Sequence, residues 1–228
     1  KGRKHGVWKE FYSSGKLANT KQFAENKEDG TWKYFQENEN LSQLRNYKLG
    51  QKHGLWKDYY ENGNKKAEKI YTEGKLTGAY SAWFEEGTLA EKGTFLNGKK
   101  SGEWEWYHKS EMVDMKGSFK KDTQHGKWVY YYANKDQILS SGNFEDGKRN
   151  GVWTYHYETG EKWKNGSFLN DKKNGLWEIF HENGTLIITG KYKNGLEDGK
   201  WNTYFSDKSA QDEGFYINGE MTGTWKGW

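Results

Sequence analysis

Histidine is the residue type in this chain best suited to bind a metal or to move a proton. Six are present, at His5, His53, His108, His125, His156 and His181. Three of them precede the glycine of a recurring Gly-x-Trp motif, and successive members of this series are two or three copies of the motif apart. With strands about 4.8 Å apart, that separation corresponds to roughly 20–30 Å, too far for one metal site.

Paired carboxylates are the second group with catalytic potential. Pairs such as Glu85-Glu86 stand next to glycine in turn-like segments, whereas general acid–base catalysis needs a cleft that holds the substrate. The sequence also contains no Gly-x-Ser-x-Gly elbow, phosphate loop or zinc motif. We therefore predict no catalytic residue, no metal and no cofactor, and a protein that is not an enzyme.

Aromatic residues form the strongest candidate site. Residues zero, two and four after a tryptophan share one face of a strand. The middle position is small or polar in several copies of the motif, as in Glu10, Asp58, Ala82 and Thr203. In three consecutive copies it is aromatic, and the candidate binding patch consists of Trp104, Trp106, His108, Trp128, Tyr130, Tyr132, Trp153, Tyr155 and Tyr157.

Two explanations of this patch remain open at the level of sequence. An exposed apolar patch of several hundred Å² usually marks an interface with another molecule. Alternatively, the twist of the sheet closes over this face and buries the rings in the core.

The strands that carry these residues can be predicted from a sequence repeat. The motif glycines stand at Gly6, Gly30, Gly54, Gly78, Gly102, Gly126, Gly151, Gly175, Gly199 and Gly223, at intervals of 24 residues with one of 25. The position two residues later is tryptophan in every copy except Tyr80. A fixed period over residues 1–228 predicts a single repeat array rather than separate globular domains.

Each repeat contains two predicted strands. Turn signals such as Glu61-Asn62-Gly63 follow the first strand, and residue types that tolerate positive φ follow the second. These second-turn residues are Asn26, Gly50, Gly74, Gly98, Asp122, Gly147, Asp171, Gly195 and Gly219. We place the extra residue of the long interval in the loop 133–137. The predicted fold is all-β: about nine and a half 24-residue hairpins that form an elongated, twisted antiparallel sheet.

The turns also predict a register within each hairpin. Gly93, Gly117, Gly142, Gly166, Gly190 and Gly214 should face the Trp or Tyr of their own repeats, so that the ring lies over bare backbone. In the first three repeats the facing residues are Lys21, Arg45 and Lys69, whose side chains can cover a ring instead. This arrangement explains the tryptophan row as a structural feature.

Composition and charge limit the classes of molecule that we expect this chain to bind. Hydrophobic residues are 32% of the chain and aromatic residues 18%, so more than half of the apolar material is rings, which fits an ordered but thin structure. A net charge of +4 is small for 228 residues and gives no case for nucleic acid. The first-turn residues are acidic in sum, which fits either a solvated edge or a contact surface for a basic partner.

The motif resembles that of a known family. The pattern Tyr-x-Asn-Gly-Lys-x-x-Gly-x-Trp-x-x-Tyr-Tyr-x-Asn-Gly, most complete over residues 71–87 and 168–184, is similar to the bacterial variant of the MORN repeat found in YwqK-type antitoxin proteins. The resemblance covers the whole chain and implies hairpins stacked side by side. It also implies functions in protein scaffolding, membrane-lipid association or the neutralisation of a toxin.

We therefore expect a non-catalytic scaffold that binds another protein, with an antitoxin as one instance. The alternative is an aromatic module that binds carbohydrate or lipid headgroups at the cell envelope. Because residues 1–5 read as the second turn of a further repeat and residues 225–228 stop within a first strand, we also expect a longer chain or a capping partner.

Overall fold

The computed structural model describes residues 2–133 and 135–228; Lys1 and Asn134, which belong to two of the expectations above, lie outside them. The predicted fold class is confirmed: 21 strands form antiparallel hairpins of one open sheet, and the described residues contain no helix. The chain divides into two compact units, residues 1–112 with 120–122 (unit 1) and residues 113–119 with 123–228 (unit 2).

Unit 1 contains eleven strands, of which two are short extensions after a second turn. They are β1 (Gly6–Phe11), β2 (Leu17–Ala24), β3 (Lys27–Glu28), β4 (Gly30–Phe35), β5 (Leu41–Lys48), β6 (Gln51–Lys52), β7 (Gly54–Tyr59), β8 (Lys65–Thr72), β9 (Lys75–Trp83), β10 (Leu89–Leu96) and β11 (Lys99–Tyr107).

Unit 2 contains ten strands of more even length. They are β12 (Val113–Lys120), β13 (Thr123–Tyr131), β14 (Ile138–Glu145), β15 (Lys148–His156), β16 (Lys162–Leu169), β17 (Lys172–Phe180), β18 (Leu186–Lys193), β19 (Leu196–Tyr204), β20 (Ala210–Ile217) and β21 (Glu220–Gly227).

The second turns have the backbone conformation that their residue types predict. All nine predicted positions, from Asn26 to Gly219, have positive φ. The residue before each of them, for example Leu49 or Asn170, also has positive φ. Two successive residues of this kind are typical of a type I′ turn, whose twist matches that of the strands it joins.

The first turn accommodates the one irregular interval. In the first repeat the N–H of Tyr12 donates to the carbonyl of Lys16, whereas in the sixth the N–H of Tyr132 donates to Gln137, one residue further along. Tyr131 accordingly pairs with Ile138. The extra residue therefore lies in the loop 133–137, as predicted, with Asn134 outside the described residues.

The Trp rings and the rings of the second strands form a ladder of ring contacts, which in unit 2 is continuous from Phe119 to Trp225. Phe168, for example, packs edge-on against Trp177, with 5.1 Å between ring centroids, and Trp177 packs against Tyr192 at 6.0 Å. Trp153, Phe168 and Trp177 form a buried cluster of unit 2. We call the side of the sheet that carries this ladder the Trp face.

The predicted register within the hairpins is right, but the predicted position of the ring is wrong. Trp177 pairs with Gly190 of its own repeat, yet its indole lies over Gly166 of the preceding repeat, where an added Cβ would come within 2.1 Å of the ring. The same holds for Trp128 over Gly117 and for Trp201 over Gly190.

In most repeats the shifted ring also donates a hydrogen bond to a backbone carbonyl. The pairing of β16 with β17 changes register between Gly166 and Phe168, so Ser167 is skipped by the ladder. The indole Nε1–H of Trp177 donates to the carbonyl of Ser167 at 3.0 Å. Six indoles satisfy a backbone group of the hairpin before them in this way, and this contact couples neighbouring repeats: those of Trp32, Trp56, Trp104, Trp128, Trp153 and Trp177. The Nε1–H groups of Trp201 and Trp225 have no hydrogen-bond partner among the described residues.

Candidate binding face

The nine residues of the candidate patch divide between the units. Trp104, Trp106 and His108 belong to unit 1. Trp104 is fully buried, Trp106 stacks on it with 5.8 Å between centroids, and the Nε1–H of Trp106 donates to Glu91 at 2.8 Å. His108 is half-buried and opens a first turn, where its N–H donates to the carbonyl of Met112.

The other six belong to unit 2 and have three different environments. The indoles of Trp128 and Trp153 are buried, with 1% and 3% exposure. Tyr130 and Tyr155 are half-buried beside them, and burial raises the pKa of both phenols. The hydroxyls of Tyr132 and Tyr157 donate to the carbonyls of His156 and Phe180 in the next repeat.

These environments separate structural from accessible rings. A buried indole has no surface to offer a partner, so Trp104, Trp128 and Trp153 act in the core. Any contact surface on this face has to be made by the half-buried residues that follow them.

One row of residues, which we call the middle row, determines where the Trp face is charged, polar or aromatic. We define it as the second residue after each Trp or Tyr of the motif together with its partner on the second strand. In unit 1 it comprises Glu10, Asn19, Tyr34, Gln43, Asp58, Ala67, Ala82, Glu91 and Trp106. In unit 2 it comprises Tyr130, Ser140, Tyr155, Lys164, Ile179, Ile188, Thr203 and Asp212.

Trp163 is an accessible ring that the sequence pattern did not indicate. Tyr155 pairs with Lys164 and His156 with Lys162, so Trp163 is the extra residue of a β-bulge. The bulge turns the indole toward the Trp face, where it contacts the rings of Tyr155 and Tyr157, with centroids 6.4 Å and 6.2 Å apart. It is 37% exposed. Strict strand alternation would have placed it on the opposite side.

An open groove of about 520 Å³ lies on the Trp face of unit 2. Four of its side chains are cationic and two are acidic. It is lined by Arg149, Tyr155, Lys164, Phe168, Asp171, Lys172, Lys173, Trp177, Tyr192, Gly195 and Glu197.

Cations cover the ring faces inside this groove. The guanidinium of Arg149 lies 4.0 Å from the centre of the Phe168 ring. The Lys173 ammonium lies 4.8 Å from the Trp177 ring and 4.4 Å from the Tyr192 ring, and it donates to the Tyr192 hydroxyl at 3.2 Å. The Lys164 ammonium lies over Tyr155 at 4.7 Å. The groove therefore presents positive charge supported by rings.

Only part of this positive charge is neutralised within the groove. Arg149 donates to Asp171 at 2.9 Å, and these hydrogen bonds lower the pKa of the Asp171 carboxyl. Among the described residues, no carboxylate lies within ion-pair distance of Lys164 or Lys173. Burial and the charge of Lys173 lower the pKa of Lys164.

Tyr192 is the groove residue whose pKa has a large shift. Burial and the neighbouring Glu197 raise its pKa to about 12, so it remains a neutral hydroxyl at physiological pH.

The sequence signal for the groove was a lysine at an inward strand position, Lys164, where the next repeat has Ile188.

The acidic first-turn edge is partly neutralised by its own chain. In unit 1 the ammonium of Lys109 pairs with Glu86 at 2.6 Å, and in unit 2 Lys135 pairs with Glu158 at 2.5 Å. In both pairs the lysine and the acid come from the turns of adjacent repeats. This edge therefore offers a basic partner less free negative charge than its sequence suggests.

Neither a metal centre nor a spanning helix is found. No three His, Asp or Glu side chains are grouped closely enough to hold a metal in residues 2–133 and 135–228. Over the same ranges, no helix has the length and hydropathy needed to cross a membrane.

Comparison with known proteins agrees with the repeat. The family model described as MORN repeat variant matches residues 4–25, 28–49, 52–73 and 173–194. The chain therefore contains MORN repeats of this variant. The matched segments run from just before a motif glycine to the second turn, and they lie in both units. The hairpins between residues 73 and 173 keep the same period and strand pattern outside the matched segments.

The remaining comparisons add little. None of the curated proteins matches the chain. Among solved structures, it is similar to part of the one titled "Crystal Structure of TcdB2-TccC3-Cdc42", at 10% identity and a TM-score of 0.21. That similarity covers 92% of this chain and 14% of that chain, and a TM-score this low carries no argument.

Proposed function

We propose that this MORN repeat protein is a non-catalytic scaffold that binds another protein on its Trp face. Neutralisation of a toxin by tight binding, as the resemblance to YwqK-type proteins implies, is one instance of this function. The observation that carries the proposal is the row of half-buried rings that the repeat itself does not require.

The middle row supplies this support. Thr203 occupies the same position as Tyr155 and Tyr130, and Trp201 of its repeat is buried nonetheless. An aromatic ring at this position is therefore not needed to bury the motif tryptophan. Half-buried Tyr and Trp side chains beside a packed core are typical of the contact residues of protein interfaces.

The alternative of a carbohydrate platform has weaker support. Sugar binding by stacking needs flat ring faces open to the ligand. In the unit 2 groove, Arg149, Lys164 and Lys173 lie over those faces, and Trp177 is buried. Contacts there have to be made through charged groups and ring edges, which suits a polypeptide surface.

The test begins with the full chain as bait for affinity purification from its native host, followed by measurement of Kd with each purified partner. A triple variant then replaces Trp106, Tyr130 and Tyr155 with Thr. We expect affinity to fall by at least about tenfold, the loss typical of interface anchors, while the thermal midpoint is retained.

A matched control places the same kind of change on the other face. Val152 and Leu176 precede their tryptophans, so they point away from the Trp face, and they are 59% and 50% exposed. The Val152→Thr, Leu176→Thr variant should bind the partner as the unmodified chain does. A large fall in the thermal midpoint of the triple variant would instead show that its rings are core.

A further inference from the structure

We propose that the groove of unit 2 binds the carboxylate side chains of an acidic segment of the partner protein, between Lys164 and Lys173. This inference rests on the proposed scaffold function and names the chemistry of the contact. It concerns residues that lie beside the candidate patch and share only Tyr155 with it.

The geometry supplies two cations fixed in place. Lys164 is held over Tyr155, and over the ring of Trp163 at 3.8 Å. Lys173 is held over Trp177 and Tyr192 and donates to the Tyr192 hydroxyl. Because both side chains are already ordered by these rings, binding an anion costs little additional side-chain entropy.

The environment of Lys164 and Lys173 favours the binding of a negatively charged group. The two ammonium groups repel each other in a partly desolvated groove, and no carboxylate of the described residues lies within ion-pair distance of either. In unit 1, two cations of the Trp face that stand at the repeat position of Gly166 already have such a partner: Arg45 and Lys69 both pair with Asp58. An incoming carboxylate would supply in unit 2 the charge that Asp58 supplies in unit 1.

The same surroundings favour a carboxylate over a phosphate. The guanidinium of Arg149, the group best suited to a bidentate phosphate contact, is engaged by Asp171. Asp171 and Glu197 also line the groove and would repel a dianion more strongly than a single carboxylate. The rings of Tyr155 and Tyr192 offer apolar walls for the methylene groups of a Glu side chain.

The test uses a labelled hexaglutamate peptide and a hexaglutamine peptide with the same label, titrated with the full chain and followed by fluorescence anisotropy. The variant Lys164→Met, Lys173→Met removes both charges and keeps the apolar stems. The control variant Lys191→Met, Lys193→Met removes the same charge from exposed residues on the opposite face of β18.

We expect the unmodified chain to bind hexaglutamate and not hexaglutamine. The Lys164→Met, Lys173→Met variant should bind about tenfold more weakly, as for the loss of charge-assisted hydrogen bonds, and the control should change by less than about twofold. Equal weakening in both variants would show non-specific attraction and overturn the proposal, as would no hexaglutamate binding by the unmodified chain. Displacement by inorganic phosphate, beyond that caused by chloride at equal ionic strength, would overturn the preference for carboxylate.

Failure of this inference is distinguishable from failure of the scaffold function. If the Lys164→Met, Lys173→Met variant binds the purified partner normally while the triple Thr variant does not, the scaffold function stands and the groove contact is wrong. If hexaglutamate binding depends on the two lysines but no protein partner binds the unmodified chain, the groove is an acid-binding site and the scaffold function is wrong.

Discussion

Units 1 and 2 use the same hairpin but treat positive charge on the Trp face differently. In unit 1, Asp58 lies between Arg45 and Lys69, and Glu10 pairs with Lys21. In unit 2, the middle row around Lys164 consists of Tyr155 and Ile179, and its cations rest on rings. An acid in the middle row of unit 1 thus neutralises two neighbouring cations, whereas the uncharged Tyr155 and Ile179 of unit 2 give Lys164 no carboxylate partner.

The groups that contact the ring face of the motif tryptophan also differ along the chain. In unit 1, Lys21 lies over Trp32, with 5.6 Å to the ring centre, and Arg45 lies over Trp56 at 4.7 Å. In unit 2, the indole of Trp177 lies directly on the backbone of Gly166. In the first repeats of unit 1, charged side chains and their methylene groups fill this space, whereas Trp104 of the same unit and the motif tryptophans of unit 2 lie directly on a glycine. This comparison leads to four predictions.

The largest effect is expected at the motif tryptophan. Trp177→Ala should lower the free energy of unfolding by about 3–5 kcal/mol, because it leaves a cavity between Phe168 and Tyr192. Trp8→Ala, at the same motif position but 46% exposed, should cost much less. Chemical denaturation measures both, and hydrogen exchange should increase first in β16 and β18. Unchanged exchange in these strands would contradict the coupling of adjacent repeats through the indole.

The second effect concerns the glycine below the ring. Gly166→Ala should cost about 1–3 kcal/mol, because its Cβ would overlap the Trp177 indole. The matched change in unit 1, Lys21→Ala, removes a partly exposed ion pair with Glu10 and the cation over Trp32, and should cost less than Gly166→Ala because solvent screens both contacts. Equal costs in urea titrations would mean that the two kinds of support are equivalent.

The third prediction is that the stabilisation contributed by Asp58 in unit 1 depends on pH. Burial alone would raise the pKa of Asp58, but hydrogen bonds from Arg45 and Lys69 lower it below its usual value near 3.8. The ionised group therefore stabilises the fold above that value, and the contribution is lost as the pH falls through the pKa of the folded state. Asp58→Asn should cost about 1–2 kcal/mol at neutral pH, and the difference should close in acid. Thermal midpoints measured from neutral to acidic pH test this, and a constant difference would refute it.

The smallest effect is expected at Lys164 in unit 2. Burial lowers its pKa in the folded state, so the unfolded chain binds more protons between the lowered and the ordinary value, and stability rises with pH across that window. Lys164→Met removes this penalty and should leave stability within about 0.5 kcal/mol of the original, or raise it. Urea titrations at neutral and alkaline pH, with Lys191→Met as the control, measure the effect. A clear loss of stability at neutral pH would show that Lys164 is structural.

Much of the backbone could be predicted because it depends on local chemistry. Residues such as Gly50 and Asp171 tolerate positive φ, and all nine predicted second-turn positions adopt it. Since turn length fixes the register of a hairpin, the pairing of Trp177 with Gly190 followed from the same reasoning. The extra residue of the irregular interval lies in a turn because only there does it leave the ladder intact.

The side chains between repeats could not be predicted in the same way. The Trp177 indole lies over Gly166 of the preceding repeat and donates to the carbonyl of Ser167, which a register shift leaves free; neither contact is visible in the spacing of residue types. Trp163 is exposed on the Trp face because of a β-bulge, which the residue types in this segment do not predict.

The sequence by itself determined the repeat, the strands, the turns and the pairing within each hairpin, because 24-residue spacing and turn chemistry act within one repeat. Only the tertiary structure decided which rings are buried, which cations are neutralised and where a groove remains. Those properties arise from contacts between residues about one repeat apart or on facing strands, such as Arg45 with Asp58 or Lys173 with Tyr192. Such contacts depend on how adjacent hairpins pack, and the spacing of residue types along the chain does not specify that packing.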